Sequence, residues 1–109
     1  MRTPTREEVS ELLTRRARAW TDRNVEALAS QHAADGVMAS NLAGRVQGTS
    51  AIQDVYAAWF RAFPDTRFDS DSVLVDGSHV AELGTMSGTD TGGFLGLTPT
   101  NKPFRVPTA

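Results

Sequence analysis

Large apolar residues recur over residues 48–65 at the spacing of one helix face. They are Ile52, Val55, Tyr56, Trp59, Phe60 and Phe63. Recurrence every three or four positions predicts a helix with one wide apolar stripe. Ser50 followed by Gln53 predicts a capping box at its start, and Pro64 predicts its end because the residue before a proline avoids the α conformation. A stripe this wide needs a broad apolar surface, for which we expect a curved sheet.

Two shorter helices are predicted ahead of this one. Residues 5–23 carry apolar side chains at helical spacing, with glutamates early and arginines late, which suits the helix dipole. Asn24 is placed to cap a second helix. The pair Asp35-Gly36 would end that helix and turn the chain into a short strand over residues 37–43.

A β-hairpin is predicted after the central helix. Polar and apolar residues alternate over residues 67–75, an Asp-Gly turn signal follows, and residues 79–89 would run back beside the first strand. Gly84 and Gly88 interrupt this return strand, as is typical where a sheet bulges or bends sharply. A loop rich in glycine, threonine and proline then leads to the start of another strand, expected over residues 102–106. Helices followed by antiparallel strands indicate an α+β fold.

The composition is that of a single soluble domain. The 109 residues carry a net charge of −2, which offers no basic surface for nucleic acid or an anionic membrane. No apolar run is long enough to span a bilayer, and the first residues are not expected to form a secretion signal. Without cysteine, the chain has no disulfide, thiolate nucleophile or cysteine-ligated metal. We therefore expect a cytoplasmic protein without nucleic-acid or membrane partners.

Four stretches of the chain resemble a known family. They are the corner at residues 34–35, the beginning and end of the central helix at 48–52 and 63–65, and the loop at 87–100. The loop reads Ser-Gly-Thr-Asp-Thr-Gly-Gly-Phe-Leu-Gly-Leu-Thr-Pro-Thr. It is similar to the pattern G-T-H-T-G-x-F-x-G-L-P-P-T-G of the SnoaL-like polyketide cyclases. With the order of the elements, these stretches make nearly the whole chain similar to that family.

The resemblance implies an α+β fold of the NTF2-like, or cystatin-like, kind. This fold is a cone in which N-terminal helices pack on a strongly curved antiparallel sheet and enclose a mostly apolar pocket. The resemblance also implies a small hydrophobic carbonyl compound as partner, a homodimer packed through the sheet, and acid–base chemistry without cofactor or metal. That chemistry would be an intramolecular aldol cyclisation or a ketosteroid isomerase-like proton shift. The alternative is a non-catalytic NTF2-like module for small-ligand binding or dimerisation, because such members also exist.

Three departures from the family pattern bear on this choice. The single domain expected over residues 1–109 ends before the strands that carry the cyclases' acid–base aspartate, so we expect it to be incomplete at its C-terminal end. Asp90 takes the place of the loop histidine. The positions nearest to the base and the tyrosine of isomerase-like members are Ser40 or Asn41, and Arg16, which cannot perform those roles.

Three residues are candidates for catalysis. Asp90 lies at the loop edge, where partial burial would raise the pKa of its carboxyl group, although Asp-Thr-Gly-Gly is equally good turn chemistry. Glu82 shares a strand face with Val80 and Met86, and would be a better base than Asp90 if that face points inward. Tyr56 could donate a hydrogen bond to an enolate oxygen.

A wider set of residues is expected to line the pocket. These are Trp20, Met38, Ser40, Trp59, Phe63, His79, Met86 and Phe94. Most of them would equally suit an ordinary core, and His79 would equally suit an exposed strand end. His32 and Asp35 have the spacing of two metal ligands on one helix face, but no third ligand accompanies them, so we expect no metal site.

Overall fold

The computed structural model describes residues 3–109, which form helices packed against antiparallel strands. The helices are α1 (Arg6–Thr21), α2 (Val25–Ser30) and α3 (Thr49–Ala62). The strands are β1 (Val37–Ser40), β2 (Gly44–Gln47), β3 (Arg67–Asp76), β4 (His79–Thr89) and β5 (Pro103–Thr108). One short 3-10 turn, Phe94–Gly96, lies in the loop before β5. This arrangement confirms the predicted α+β class.

Side-chain caps start the first two helices. The Thr5 hydroxyl accepts a hydrogen bond from the Glu8 N–H at 3.1 Å, and the Glu8 carboxylate accepts one from the Thr5 N–H at 3.1 Å. This reciprocal pair is a capping box, which satisfies amides that the helix leaves unpaired. Asn24 caps α2 by accepting from the Ala27 N–H at 3.0 Å, as the sequence predicts.

The central helix α3 begins differently from the prediction. Its N-cap is Gly48, with φ at 92°, and no side-chain capping bond is formed there. The capping box predicted from Ser50 is therefore wrong, because Ser50 already lies inside the first turn. The predicted end of the helix is confirmed, since Phe63 leaves the helical conformation immediately before Pro64.

The short strand predicted over residues 37–43 is in fact one arm of a hairpin. Strands β1 and β2 pair antiparallel as a two-stranded sheet, with Met38 opposite Val46. The turn between them is fixed by the Ser40 hydroxyl, which accepts a hydrogen bond from the Ala43 N–H at 2.8 Å. Strand β2 was not predicted.

Strands β3, β4 and β5 form a second antiparallel sheet in that order. The predicted hairpin is confirmed, since Asp76 pairs with His79 across the tight turn. The irregularity predicted at Gly84 is present on the opposite strand, as a shift of register between Ser70 and Ser72, whereas the pairing of Gly88 with Phe104 is regular. Gly84 lies opposite Ser70, and a Cβ there would collide with the carbonyl of Asp69, so this position requires glycine.

The apolar stripe of α3 contributes side chains to two separate core clusters. The helical cluster contains the buried residues Ala19, Leu28, Ala29, Ile52 and Tyr56, with Trp20, Met38 and Phe60 packed against it. The aromatic cluster contains the buried residues Ala62, Phe63 and Phe94, with Trp59 and Phe104 packed against it. None of the described helices is both long and apolar enough to cross a membrane.

Candidate functional site

A cleft of about 860 Å³ separates α1 from the inner face of β3 and β4. It exists because part of the apolar stripe of α1 has no close partner. Leu12 belongs to the apolar stripe predicted for residues 5–23, yet it is 38% exposed, and it lines the cleft together with Leu13. Trp20 continues this apolar wall one helical turn beyond Arg16. The cleft is thus largely apolar, with a few charged groups at defined places.

Glu82 lies on the sheet wall of this cleft. Val80, Glu82 and Met86 alternate along β4 and all line it, so the face that the sequence left open is turned toward α1. Glu82 is half-buried there. Ser70 lines the same cleft and pairs with Gly84, two residues along β4 from Glu82. A carboxylate and a hydroxyl therefore share one region of the inner face.

In the opposite wall, Arg16 belongs to a network of three polar side chains, of which Tyr56 and His32 lie behind the wall. Arg16 Nη1 donates to the Tyr56 hydroxyl at 2.8 Å, and the same hydroxyl lies 3.1 Å from His32 Nε2. The network joins α1, α3 and the segment after α2. Trp20 closes it on one side, with its ring edge-on to that of Tyr56 at 6.2 Å. The Trp20 indole N–H is buried and has no hydrogen-bond partner among residues 3–109.

The surroundings of His32 favour its neutral form. Partial burial lowers the pKa of its imidazole below the usual 6.5, and the neighbouring charge of Arg16 lowers the pKa further. A neutral imidazole can accept a hydrogen bond, and the Tyr56 hydroxyl has one proton to donate. The hydroxyl is therefore arranged to accept from Arg16 and to donate to His32.

Two further arginines line the cleft, but both are engaged elsewhere. Arg23 donates to the Pro64 carbonyl from Nε at 3.2 Å and from Nη2 at 3.0 Å. Arg67 forms an ion pair with Asp69 at 2.9 Å. Arg16 has no carboxylate within ion-pair distance among the described residues.

Asp90 lies in the loop and not at the cleft. Its Oδ1 accepts from the Gly93 N–H at 3.2 Å, and its Oδ2 accepts from the Thr100 N–H and hydroxyl at 3.0 and 3.1 Å. Both oxygens are thus used to hold the two ends of the loop together, which is the turn chemistry that its sequence context also suggested. The structure does not bring Asp90 and Glu82 into one site.

The other residues predicted for the site are divided among several places. Glu82, Trp20 and Met86 line the cleft. The remaining apolar candidates and Tyr56 belong to the cores: Tyr56 and Met38 to the helical cluster, and Trp59, Phe63 and Phe94 to the aromatic cluster. Ser40 is exposed in the turn of the first hairpin, and His79 is exposed at the turn of the second.

The sequence reasoning missed two residues of the network. Arg16 was considered only as an unsuitable replacement for a tyrosine, and His32 only as a metal ligand. The available signal was the position of Arg16, four residues before Trp20 at the edge of the apolar stripe of α1. Among the described residues, no three His, Cys, Asp or Glu side chains form a group that could hold a metal ion.

Comparison with known proteins identifies a family to which the chain is similar over most of its length. The sequence pattern of the SnoaL-like polyketide cyclases matches residues 10–108. Comparison with curated proteins finds no significant match. The fold is similar to that of TsrD from Streptomyces laurentii, with a TM-score of 0.79 at 20% identity over 95% of this chain and 76% of that one.

Two other solved structures are similar over most of this chain. One is a hypothetical protein with a ketosteroid isomerase-like fold from Catenulispora acidiphila DSM 44928, in complex with trimethylamine, with a TM-score of 0.74 at 26% identity over 89% of this chain and 70% of that one. The other is a proposed SnoaL-like polyketide cyclase from Jannaschia sp. CCS1, with a TM-score of 0.75 at 21% identity over 98% of this chain and 76% of that one. These similarities confirm the predicted NTF2-like fold class.

Proposed function

Because the chain belongs to the SnoaL-like polyketide cyclase family, we propose that it takes up a small, largely apolar carbonyl compound in the cleft and moves a proton next to the carbonyl group. The reaction is either an isomerisation or an intramolecular aldol cyclisation, and it uses acid–base chemistry without a cofactor. The observation that carries this proposal is a carboxylate, Glu82, on the wall of an otherwise largely apolar cleft.

Glu82 is the base in this proposal. A general base must reach the substrate, and of the two carboxylates that the sequence suggested only Glu82 lines the cleft. The oxygens of Asp90 are already occupied by amide and hydroxyl donors of its own loop. Tyr56, the predicted hydrogen-bond donor, is 5% exposed with its hydroxyl between Arg16 and His32, so we assign that role to Ser70 on the inner face.

The proposed steps conserve atoms and charge. Glu82 removes a proton from the carbon next to the carbonyl, the C–H electron pair forms a C=C bond, and the carbonyl oxygen becomes an enolate that accepts a hydrogen bond from Ser70. In an isomerisation, Glu82 returns the proton to another carbon of the same molecule. In a cyclisation, the enolate carbon attacks a second carbonyl carbon, and Glu82 returns the proton to the alkoxide.

The test is hydrogen–deuterium exchange at the carbon next to the carbonyl of β-tetralone, an apolar ketone, followed by NMR in deuterium oxide. We expect the protein to accelerate exchange and Glu82→Gln to reduce the catalysed rate at least about 100-fold, because a general base contributes this much or more. Binding of the ketone should be nearly unchanged.

Two other amide substitutions serve as controls. Asp69→Asn removes another carboxylate from the same cleft, and Asp90→Asn removes the loop candidate; both should keep the exchange rate. A Glu82→Gln variant that exchanges as fast as the natural protein would refute the catalytic assignment. If the natural protein and all variants bind the ketone but none accelerates exchange, the protein is a ligand-binding module without this catalytic activity.

We also propose that two copies pack through the outer face of the β3–β4–β5 sheet. Leu74 and Leu83 point away from the cleft on this face and are 59% and 36% exposed, which leaves apolar surface for a partner. Light scattering should give the mass of two chains, and Leu83→Lys should shift that mass toward one chain. A natural protein with the mass of one chain would contradict the dimer.

A further inference from the structure

Arg16 places a cation in the apolar wall of the cleft without a counter-ion. Its side chain is half-buried and lies beside Leu12, Leu13 and Trp20. No carboxylate of residues 3–109 is within ion-pair distance of it, and its one hydrogen-bond partner there is the neutral Tyr56 hydroxyl. A guanidinium has five N–H donors, so most of its hydrogen-bonding capacity is unused. A partly desolvated cation in this condition favours a ligand that brings negative charge.

The guanidinium is held in place before any ligand arrives. Its carbon lies 5.6 Å from the centroid of the Tyr56 ring and 5.9 Å from that of the Trp20 ring, which are cation–π distances. The hydrogen bond to the Tyr56 hydroxyl fixes one edge of the planar guanidinium, and His32 fixes that hydroxyl in turn. The other two members of the network are a hydroxyl and an imidazole, neither of which brings negative charge, so nothing in this network neutralises the charge of Arg16.

The remaining charges of the cleft do not offer the same site. Arg23 is bound to the Pro64 carbonyl, and Arg67 is paired with Asp69 in a position where its side chain is 72% exposed. Glu82 lines the cleft and forms no ion pair with Arg16. Of the charged side chains that line the cleft, Arg16 and Glu82 thus have no ion-pair partner among the described residues, whereas Asp69 is paired with Arg67.

We propose that Arg16 binds a carboxylate group of a small ligand whose apolar body packs along Leu12, Leu13 and Trp20. Tyr56 and His32 are positioning residues, which hold the guanidinium so that its free edge faces the cleft. This inference rests on the proposed function of the cleft and narrows its substrate class to apolar carboxylic acids. A planar guanidinium suits that group, because it can donate two parallel hydrogen bonds to one carboxylate.

The experiment compares two probes of the same shape and different charge. Calorimetric titration with β-naphthoate and with its neutral amide, β-naphthamide, measures what the negative charge adds. We expect the natural protein to bind the acid about tenfold or more tightly than the amide, since hydrogen bonds between charged groups are stronger than neutral ones. Added salt should weaken binding of the acid only. Equal affinity for the two probes, or no binding of the acid, would overturn the proposal.

Matched substitutions locate the anion within the cleft. Arg16→Gln should abolish the preference for the acid, whereas Arg67→Gln should keep it, because Arg67 is already paired with Asp69. Arg16→Lys should keep part of the preference, since lysine retains the positive charge but lacks the two parallel N–H donors of the guanidinium. If the preference disappears in Arg67→Gln and survives in Arg16→Gln, the anion lies elsewhere and the proposal is wrong.

Two more variants separate this proposal from the catalytic one. Tyr56→Phe keeps the ring and removes the hydroxyl, so it should reduce the preference for the acid while leaving the affinity for the amide unchanged. Glu82→Gln should lose ketone exchange and still bind the acid, more tightly if anything, because a second negative charge has gone. A failure of exchange with an intact preference would reject the reaction alone, and the reverse result would reject only the anion site.

Discussion

Along α3, two similar aromatic side chains have very different surroundings. Toward its middle, Tyr56 is buried in the helical cluster, and its hydroxyl contacts a cation that lines the cleft. At its end, Phe63 is buried in the aromatic cluster against Phe94 and Phe104, with ring centroids 6.0 and 5.0 Å away. Tyr56 thus supports a residue of the cleft wall from behind, whereas Phe63 belongs to a solid core, and no residue of α3 itself lines the cleft.

A covering segment accounts for the difference. The loop before β5 folds over the last turn of α3, where the N–H groups of Thr91 and Gly92 donate to the Ala62 carbonyl at 3.2 and 3.0 Å. This docking places Phe94 against Trp59, with ring centroids 5.4 Å apart. Among the described residues, no such segment fills the space between α1 and the inner face of β3 and β4.

The polar groups of the two regions differ in the same way. Beside the aromatic cluster, Trp59 Nε1 donates to the buried Thr66 hydroxyl at 3.2 Å, and this hydroxyl contacts the Sδ atom of the cleft residue Met86 at 3.5 Å, so these neutral groups satisfy one another. In the network at the cleft, Arg16 keeps unused donors and an uncompensated charge. A polar network that is complete in itself stabilises a core, whereas one with unused donors is suited to a ligand.

The largest expected effect comes from opening the solid region. Phe94→Ala should lower the free energy of unfolding by about 3–5 kcal/mol, because Phe94 is 6% exposed and its removal leaves a cavity among aromatic rings. Leu12→Ala at the cleft is the matched change and should cost under about 1 kcal/mol, since Leu12 already faces open space. Urea unfolding measures both, and similar losses would mean that the two regions do not differ in packing.

A smaller effect is expected in the pH dependence of the free energy of unfolding, to which the two regions contribute at different pH values. The folded state lowers the pKa of His32 below 6.5, so the unfolded chain takes up this proton first and stability falls as the pH drops below 6.5. At the other end of α3, the Thr89 hydroxyl and amide hold the pKa of Asp65 below 3.8. Stability from Asp65 is therefore present above 3.8 and is lost as the pH falls through its lowered pKa.

Two substitutions test which side chain causes each loss of stability. His32→Gln should remove the fall that begins below 6.5 and leave the acid one in place. Asp65→Asn should do the reverse. Urea unfolding of the three proteins across the pH range gives the comparison. A fall near neutral pH that persists in His32→Gln would show that another group causes it.

Local signals made much of the fold predictable. The Asn24 cap, the proline after α3 and the Asp-Gly turn between β3 and β4 each act within a few residues, and each is found where the sequence indicates it. Strand β2 was missed because it has only four residues and lacks a clear alternation. The capping box at Ser50 failed because Gly48, with φ at 92°, starts the helix earlier.

The candidate site was less predictable because it depends on distant contacts. The two sides of β4 both mix polar and apolar residues, so the alternation could not tell which way Glu82 points. Arg16 and His32 lie 40 and 24 residues from Tyr56 along the chain, and no local pattern connects them. Such a network becomes visible only when α1, α3 and the segment after α2 are packed together.

The hydrogen bonds at the end of α3 have a consequence for synthesis of the protein. The carbonyl of Ala62 is satisfied by amides that belong to Thr91 and Gly92, on the far side of the whole β3–β4 hairpin. While the ribosome is still translating that hairpin, only water can donate hydrogen bonds to this carbonyl. The contact between α3 and the loop therefore forms only after the hairpin between them has been synthesised.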